Sequence, residues 1–434
     1  MYSRMSDWLA FHNEMGRSGM LLLQRLAEAG YAAYFVGGCV RDALLGRAIK
    51  DMDIATSATP EEVLALFPEA IPTGLQHGTV TVPTDGWHFE VTTFRAETGY
   101  SDGRHPDEVL FLHEIEGDLE RRDFTVNAMA VGIDGKLVDP FHGREDLERR
   151  ILRAVGKAAD RFDEDALRML RCVRFASEYG FTVEEETWRE VLLSAPGLRR
   201  IAMERVFAEL TRMMSGADPY RALKLLQESE LLHWCKERLR FPRSLGLGRS
   251  GEECYSEPLE RLGQISDVIG RWTFWFLRME LLPEDGELAC RALKTPNAFM
   301  ESVLNGIRLH RSLEGTPSKD ARKAWIEGVL RYGRDTAIRW MELAETYRDE
   351  DEYAWMGPYA DNGYGWLDQM AVYELKDLAI RGNDIIAAAG RKGGPWLSAV
   401  LNRLLLEAAL GELPNERALL LERAAFLSAQ DRKG

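Results

Sequence analysis

The sequence predicts a mixed α/β head, built as a small sheet with helices on one side, followed by an all-α remainder. Three observations carry this. Short apolar segments of strand type dominate up to about residue 140. Two of the links between them, Asp85-Gly86 and Asp134-Gly135, are hairpin turn pairs. From Glu145 onward the apolar residues recur at helical spacing instead. With 434 residues the chain should form more than one domain, because single cores rarely grow beyond roughly 250–300 residues. The expected divisions are 1–150, 151–240 and 241–434.

The elements follow in order. Residues 17–29 form a helix with Leu21, Leu22, Leu23 and Leu26 on its apolar side and Gly30 as the stop. Tyr34-Phe35-Val36 is a strand that runs into Gly37-Gly38 and a short helix. Asp51-Met52-Asp53-Ile54 opens the next strand, and Thr59-Pro60-Glu61-Glu62 starts a helix with a capping box and a proline in its first turn. Thr79–Val82 and Phe89–Phe94 flank the Asp85-Gly86 turn, and Thr125–Val131 with Lys136–Val138 repeats the pattern. Helices are expected at Asp163–Glu178, Glu184–Leu193 and Ala202–Met214. Glycine, serine and proline cluster at Phe241–Ser256, and a second loose stretch runs from Gly357 to Gly365. Trp272-Thr273-Phe274-Trp275 and Trp234 could stack on RNA or pack a helical core, and core is the favoured reading; His310 is read as a structural or surface group.

Composition excludes several classes. Apolar runs such as Tyr31–Val36 are far too short to span a membrane, and no N-terminal stretch reads as the charged start, apolar middle and small-residue cleavage site expected of a signal peptide. Five cysteines without a Cys-x-x-Cys pair argue against zinc and disulfides and for a reduced cytoplasm. A net charge of -15 lowers the expectation of nucleic-acid binding without removing it, since binding follows local basic stripes.

The chemistry-bearing residues begin at Gly37-Gly38. Glycines before a helix leave backbone N–H groups open to an anion, and Arg41, one turn on, suits a triphosphate. Side chains on a strand alternate, so Asp51 and Asp53 point the same way and repel unless a divalent cation lies between them. Mg²⁺ is the expected ion, being oxygen-seeking and usually held by one or two carboxylates plus phosphates. Glu90 is the candidate third acid, with Phe89 and Val91 facing the other way. Phosphate cradle and paired carboxylates together suggest metal-dependent nucleotidyl transfer.

Gly37-Gly38-Cys39-Val40-Arg41-Asp42 with Asp51-Met52-Asp53 resembles the signature of class II tRNA nucleotidyltransferases and bacterial poly(A) polymerases, in the DNA polymerase β superfamily. The resemblance continues in Arg121-Arg122-Asp123-Phe124-Thr125-Val126-Asn127, in Asp139-Pro140-Phe141 with Gly143 and Asp146-Leu147, in Glu164–Arg171, and in Glu204-Arg205 with Glu209-Leu210. It covers residues 34–214 in order, about half of the chain. It implies a polymerase-β-like catalytic head with Asp51, Asp53 and Glu90 at the metals, a helical neck that selects the base, and a tail that grips tRNA. Gly38, Arg41, Arg122, Asp165, Arg168, Arg171 and Arg174 are carried over as nucleotide-binding residues.

Asp165 and Arg168 are three apart on the expected helix and would share a face. A carboxylate accepts from an exocyclic amine while a guanidinium donates to ring acceptors. Cytosine and adenine both offer an amine beside an acceptor nitrogen, whereas guanine and uracil offer a carbonyl beside an N–H. Such a pair would admit C and A and refuse G and U. Arg171 and Arg174 extend the three-residue spacing; a solvated basic face pairing with Asp163 and Glu178 is the alternative.

Within the resemblance, Gly74–Val80 is similar to the tRNA enzymes rather than the poly(A) polymerases. Tyr100–Pro106 is similar to the flexible loop that CC-only enzymes lack. The implied activity is addition of C, C and A to tRNA from CTP and ATP, in the cytoplasm, with no membrane partner and with a homodimer left open. A-adding, CC-adding and poly(A)-forming enzymes are the alternatives, followed by a non-catalytic RNA-binding relative.

Overall fold

A computed structural model describes residues 13–98, 108–242, 244, 245, 247 and 258–430. The expected loop at Tyr100–Pro106 lies outside them, as does most of Phe241–Ser256. The chain divides into two compact units, Met1–Leu239 and Arg240–Gly434.

The first unit opens with α1 (Glu14–Glu28), which starts earlier than its apolar pattern because the Asn13 side chain accepts from Gly16 N at 2.7 Å. Leu22, Leu23 and Leu26 are buried, while Leu21 is exposed. There follow β1 (Ala33–Val36), α2 (Gly38–Leu44), β2 (Asp53–Thr56), α3 (Pro60–Leu66), β3 (Ile71–Gly74), β4 (Thr79–Thr84) and β5 (Trp87–Thr93). The capping box of α3 forms as expected: Thr59 N donates to Glu62 Oε2 at 2.8 Å, and Glu62 N to Thr59 Oγ1 at 3.3 Å. Asp85 and Gly86 both take positive φ, the turn that matches the twist of the β4–β5 hairpin.

After β6 (Arg95–Thr98) and β7 (Glu108–Phe111) come α4 (Ile115–Glu120), β8 (Ala130–Gly132), β9 (Leu137–Val138), α5 (Gly143–Arg149) and β10 (Ile151–Leu152). The seven-stranded sheet runs β3-β4-β5-β2-β1-β8-β9, mixed because β2 and β5 are parallel. The expected strand at Thr125–Val131 is only partly one. Thr125–Asn127 turns as a 3₁₀ segment, since Asp123 accepts from both Phe124 N and the Asn127 amide, and pairing begins at Ala130.

Helices cover both faces of the sheet, not one. Phe35, Ile54, Phe89 and Val91 share a face by register, and α1 lies there with Gly19 against the Phe35 and Phe89 rings. On the other face Val36, Ala55 and Ala130 form a buried cluster with Ile115 and Leu119 of α4. Period-two alternation forces this split, and each face must be buried.

The remainder of the first unit is helical apart from a two-residue ladder between β10 and β11 (Thr182–Val183). Its helices are α6 (Ala158–Glu164), α7 (Leu167–Tyr179), α8 (Glu185–Ser194), α9 (Met203–Ser215) and α10 (Pro219–Ser229). One helix was expected over Asp163–Glu178; two form. Asp165 adopts extended dihedrals between α6 and α7, and its carboxylate accepts from Leu167 N at 3.1 Å. A side chain that bonds its own backbone competes with the helix, and here it ends one and starts the next.

The described part of the second unit is all-α, from α11 (Val268–Arg278), α12 (Pro283–Ala292), α13 (Asn297–Leu313), α14 (Ala321–Tyr332) and α15 (Arg334–Tyr347) to α16 (Gly357–Asp368), α17 (Gly382–Ala389), α18 (Pro395–Ala409) and α19 (Arg417–Gln430). Trp272 and Trp275 are fully buried, as expected of core aromatics. The loose stretch expected at Gly357–Gly365 instead forms most of α16. Pro358 suits a first turn, and Gly363 is where α16 meets α15: a Cβ there would stand 2.3 Å from Met341 Sδ. Four described cysteines are buried free thiols, and burial pushes Cys39 and Cys235 up to about 12 and Cys290 to about 11. Among the described residues no helix is long and apolar enough to cross a membrane.

His310 gives this unit a pH signature. Burial, and then the charge of Arg311, lowers its pKa from 6.5 to about 4, and its Nδ1 accepts from Trp340 Nε1 at 3.3 Å. The unfolded imidazole binds a proton first as pH falls, so stability should drop between about pH 6.5 and 4, by on the order of 3 kcal/mol in full. Denaturation of this tryptophan-rich unit, followed by fluorescence at pH 7 and pH 5, should show the midpoint falling in acid. The His310→Asn variant should show a flatter dependence.

Candidate active site

Adjacent strands bring the sequence-distant acids together. In register, Val36 pairs with Asp53 and Asp53 with Glu90, so the end of β1, the start of β2 and the middle of β5 lie side by side. Asp51 and Asp53 are exposed while Met52 and Ile54 are buried, the alternation read from the sequence. Both aspartates open on a cleft of about 690 Å³, within the range of small-molecule sites. Eight arginines and five carboxylates line that cleft, a positive excess in a chain whose net charge is -15.

Asp53 has its pKa raised to about 6, by desolvation first and then by Asp51, with Glu90 adding to the rise and Arg122 opposing it. A carboxyl group so short of counter-charge fits a divalent cation beside it. The donor chemistry therefore suits a hard cation held by Asp51 and Asp53. Glu90 stands next to Asp53 in register, but it is not part of the cleft lining. Among the described residues no three His, Cys, Asp or Glu side chains converge as one metal-ligand set.

The glycine turn is tighter than the sequence reading. Gly37 has φ 71° and ψ -122°, and its N–H donates to Met129 O at 3.1 Å, so that amide is not open to an anion. A Cβ at Gly37 would lie 2.5 Å from Arg122 Nη1. Gly38 follows at the cleft wall. The Gly37→Ala variant should lower kcat/KM for nucleotide at least tenfold, because it displaces both the turn and Arg122. Its melting temperature should fall by only a few degrees. Steady-state kinetics beside a thermal melt checks both.

The arginines are held in place by acids. Arg41 is buried and donates through Nε and Nη2 to Asp42 at 3.0 and 3.1 Å and through Nη1 to Asn127. Its guanidinium also lies 4.4 Å from the centre of the Tyr179 ring. Arg171 grips Asp123 through Nε at 2.8 Å and Nη2 at 2.6 Å. Asp123 is buried yet its pKa is lowered, because Arg171 and the Asn127 amide outweigh desolvation. Arg174 is buried too, donating to Glu209 at 2.7 Å and Glu178 at 3.3 Å. The three-residue arginine spacing is thus not a row of open cations: both residues line the cleft while paired with acids, Arg174 buried against Glu209 and Glu178 and Arg171 part-exposed on Asp123.

Asp165 and Arg168 both line the cleft, but not by sharing a helix face. Asp165 sits at the break before α7 and receives a two-pronged contact from Arg205 of α9, at 3.2 and 2.7 Å. Arg168 donates to Glu164, to Arg161 O at 3.1 Å and to Arg121 O at 2.9 Å. Three of its five donors are therefore committed, and Asp165 retains acceptor capacity beyond the Arg205 contact. Arg205 and Arg212 were not singled out as ligand-facing. The available signal was the polar stripe Arg205, Glu209, Arg212 opposite the buried Met203, Val206, Leu210 and Met213 of α9.

Comparison with known proteins follows this layout. Residues 33–153 match the family described as Poly A polymerase head domain. Residues 180–238 match the probable RNA and SrmB-binding site of polymerase A, and residues 264–424 the putative tRNA nucleotidyltransferase domain 2. The CCA-adding enzyme of Geobacillus stearothermophilus is 37% identical over 407 residues, covering 93% of this chain and 96% of that protein. The chain belongs to the CCA-adding enzyme family. The CCA-adding enzyme of Limosilactobacillus reuteri (strain DSM 20016) is 35% identical over 422 residues, covering 94% of this chain and 96% of that one. The crystal structure of the Bacillus stearothermophilus CCA-adding enzyme in complex with CTP superposes with a TM-score of 0.79 at 33% identity, covering 97% of this chain and 98% of that one. Membership makes this chain a nucleotidyltransferase of the polymerase-β type, a class that generally uses divalent metal.

Proposed function

We propose that this chain completes the 3′ end of tRNA, adding C, C and A from CTP and ATP with release of pyrophosphate. The observation that carries the reading is that Asp51 and Asp53 open on the same arginine-rich cleft as Asp165 and Arg168. One cavity thus holds a site for reacting phosphate and a pair able to read a base edge. The family and the CTP complex of its Bacillus stearothermophilus relative support it.

Asp51 and Asp53 would hold the divalent cation, Mg²⁺ in our reading, with Glu90 beside Asp53 as the third acid. When bound, Mg²⁺ supplies positive charge that activates the RNA 3′-hydroxyl and offsets the charge of the leaving pyrophosphate. The residues of the chain position the reactants. The Gly38 turn, Arg41 and Arg122 border the triphosphate. Asp165 accepts from the amine of cytosine or adenine and Arg168 donates to the neighbouring ring nitrogen, braced by Arg205 and Glu164. Arg171 and Arg174 set the helix that carries Arg168, and they stand at the nucleotide site through Asp123 and Glu209.

In this reading residues 1–150 form the catalytic head and 151–240 the base-selecting neck. Residues 241–434 bind tRNA, chiefly through backbone and shape. The enzyme works in the cytoplasm.

A tRNA transcript lacking the last three nucleotides tests this. With CTP alone it should gain two residues and stop; with ATP alone it should gain none; with both it should gain three. A long A tract, or growth past two residues with CTP alone, contradicts the proposal. Chelation by EDTA should abolish every addition, and Mg²⁺ should restore it.

A further inference from the structure

We propose that Asp118, a residue outside the motifs above, is a positioning residue for nucleotide binding, acting through Arg122. The proposal rests on the nucleotidyl-transfer reading of the cleft.

Asp118 is 1% exposed, and both of its oxygens are committed to arginines of the cleft wall. Oδ1 accepts from Arg121 Nε at 3.1 Å and Nη2 at 2.7 Å, while Oδ2 accepts from Arg122 Nη2 at 3.2 Å. A buried carboxylate is costly unless paired, so this one fixes its partners as firmly as they fix it. The arginines hold its pKa low against desolvation.

What Asp118 fixes matters for the cleft. Arg122 Nη1 occupies the place a Cβ of Gly37 would take, so Arg122 forms one wall of the glycine turn. Arg122 is also one of the charges that acts on Asp53. The carbonyl of the neighbouring Arg121 accepts from Arg168, the base-side arginine. Arg121-Arg122 therefore borders the turn, contacts the base-side helix and places a positive charge that acts on Asp53. Asp118 anchors that segment to a rigid support. Leu119 and Ile115 of α4 are packed with Val36 and Ala55, on the strand that runs into Gly37 and the strand that carries Asp53. Without the Asp118 charge, the hydrogen bond left to Arg122 among the described residues is its 3.5 Å contact with Asn127 O, and its place over the turn is no longer fixed.

The test is steady-state incorporation on a truncated tRNA by Asp118→Asn, Arg122→Ala and the double variant, well below their melting temperatures. Asp118→Asn should raise KM for CTP and for ATP about tenfold each, with kcat within about threefold of wild type. In the Arg122→Ala background it should change KM by less than about twofold. A purely structural role would lower the melting midpoint but leave KM unchanged, or its effect would multiply with that of Arg122→Ala; either result overturns the proposal. If Asp118→Asn does not fold, Asp118→Glu keeps the charge and displaces it. Raised KM with near-normal kcat then supports the proposal, and wild-type kinetics overturns it. A wild-type chain that incorporates neither nucleotide would overturn the functional reading and this proposal together. Wild-type incorporation with unchanged variant KM overturns the role of Asp118 alone.

Discussion

Replacing Asp51 or Asp53 with alanine should reduce nucleotide addition by about a thousandfold or more while leaving tRNA binding largely intact. The magnitude corresponds to several kcal/mol of transition-state charge stabilisation, the scale of a metal site. Both carboxylates are exposed at the cleft, so neither substitution empties the core. Removing Asp51 also relieves the repulsion that, after desolvation, raises the pKa of Asp53, and removing Asp53 takes away that desolvated carboxylate. Thermal stability should therefore be unchanged or slightly higher. Single-turnover incorporation beside a tRNA binding isotherm separates the two effects. Full activity in either variant would remove these residues from the site.

Asp165→Ala should relax base choice. A good two-point contact with a base edge provides about 1–3 kcal/mol of discrimination, so rejection of GTP and UTP should weaken by roughly 10- to 100-fold. The variant also frees Arg205, whose two contacts with Asp165 are lost, and removes the bond to Leu167 N that starts α7. Some loss of kcat with CTP and ATP should accompany the change. The informative quantity is the ratio of kcat/KM between CTP and UTP, which a general loss of stability would leave alone. An unchanged ratio would refute base reading by Asp165.

How far the sequence carried each feature depends on how local its physics is. The β4–β5 hairpin is written in two turn residues, and the α3 cap in four, so both form as read. The same-side placement of Asp51 and Asp53 follows from strand alternation alone. Contacts between distant segments were not legible. Arg205 meets Asp165 across forty residues, and Arg171 meets Asp123 across forty-eight. No periodicity encodes such encounters, and the arginine spacing of α7 could not say whether its charges were open or buried. The misread break at Asp165 has a different cause. Helical spacing runs through Asp163–Glu178 in the sequence, yet a single carboxylate bond to Leu167 N outweighs it. Thr125–Asn127 fails likewise, its strand pattern overridden by Asp123 and Asn127. The sequence reading did not single out Asp118; its burial and its contacts with Arg121 and Arg122 distinguish it.

The central claim is that one protein cleft chooses C, C and then A without a template. It is tested most directly with three tRNA transcripts, ending before C, after CC and after CCA. Each is incubated with Mg²⁺ and each of the four labelled nucleotides, and the products are resolved at single-nucleotide length. The first transcript should accept C, the second only A, and the third nothing, with G and U refused throughout. Addition of A beyond CCA, acceptance of C by the transcript ending in CC, or no addition to any transcript would contradict the account.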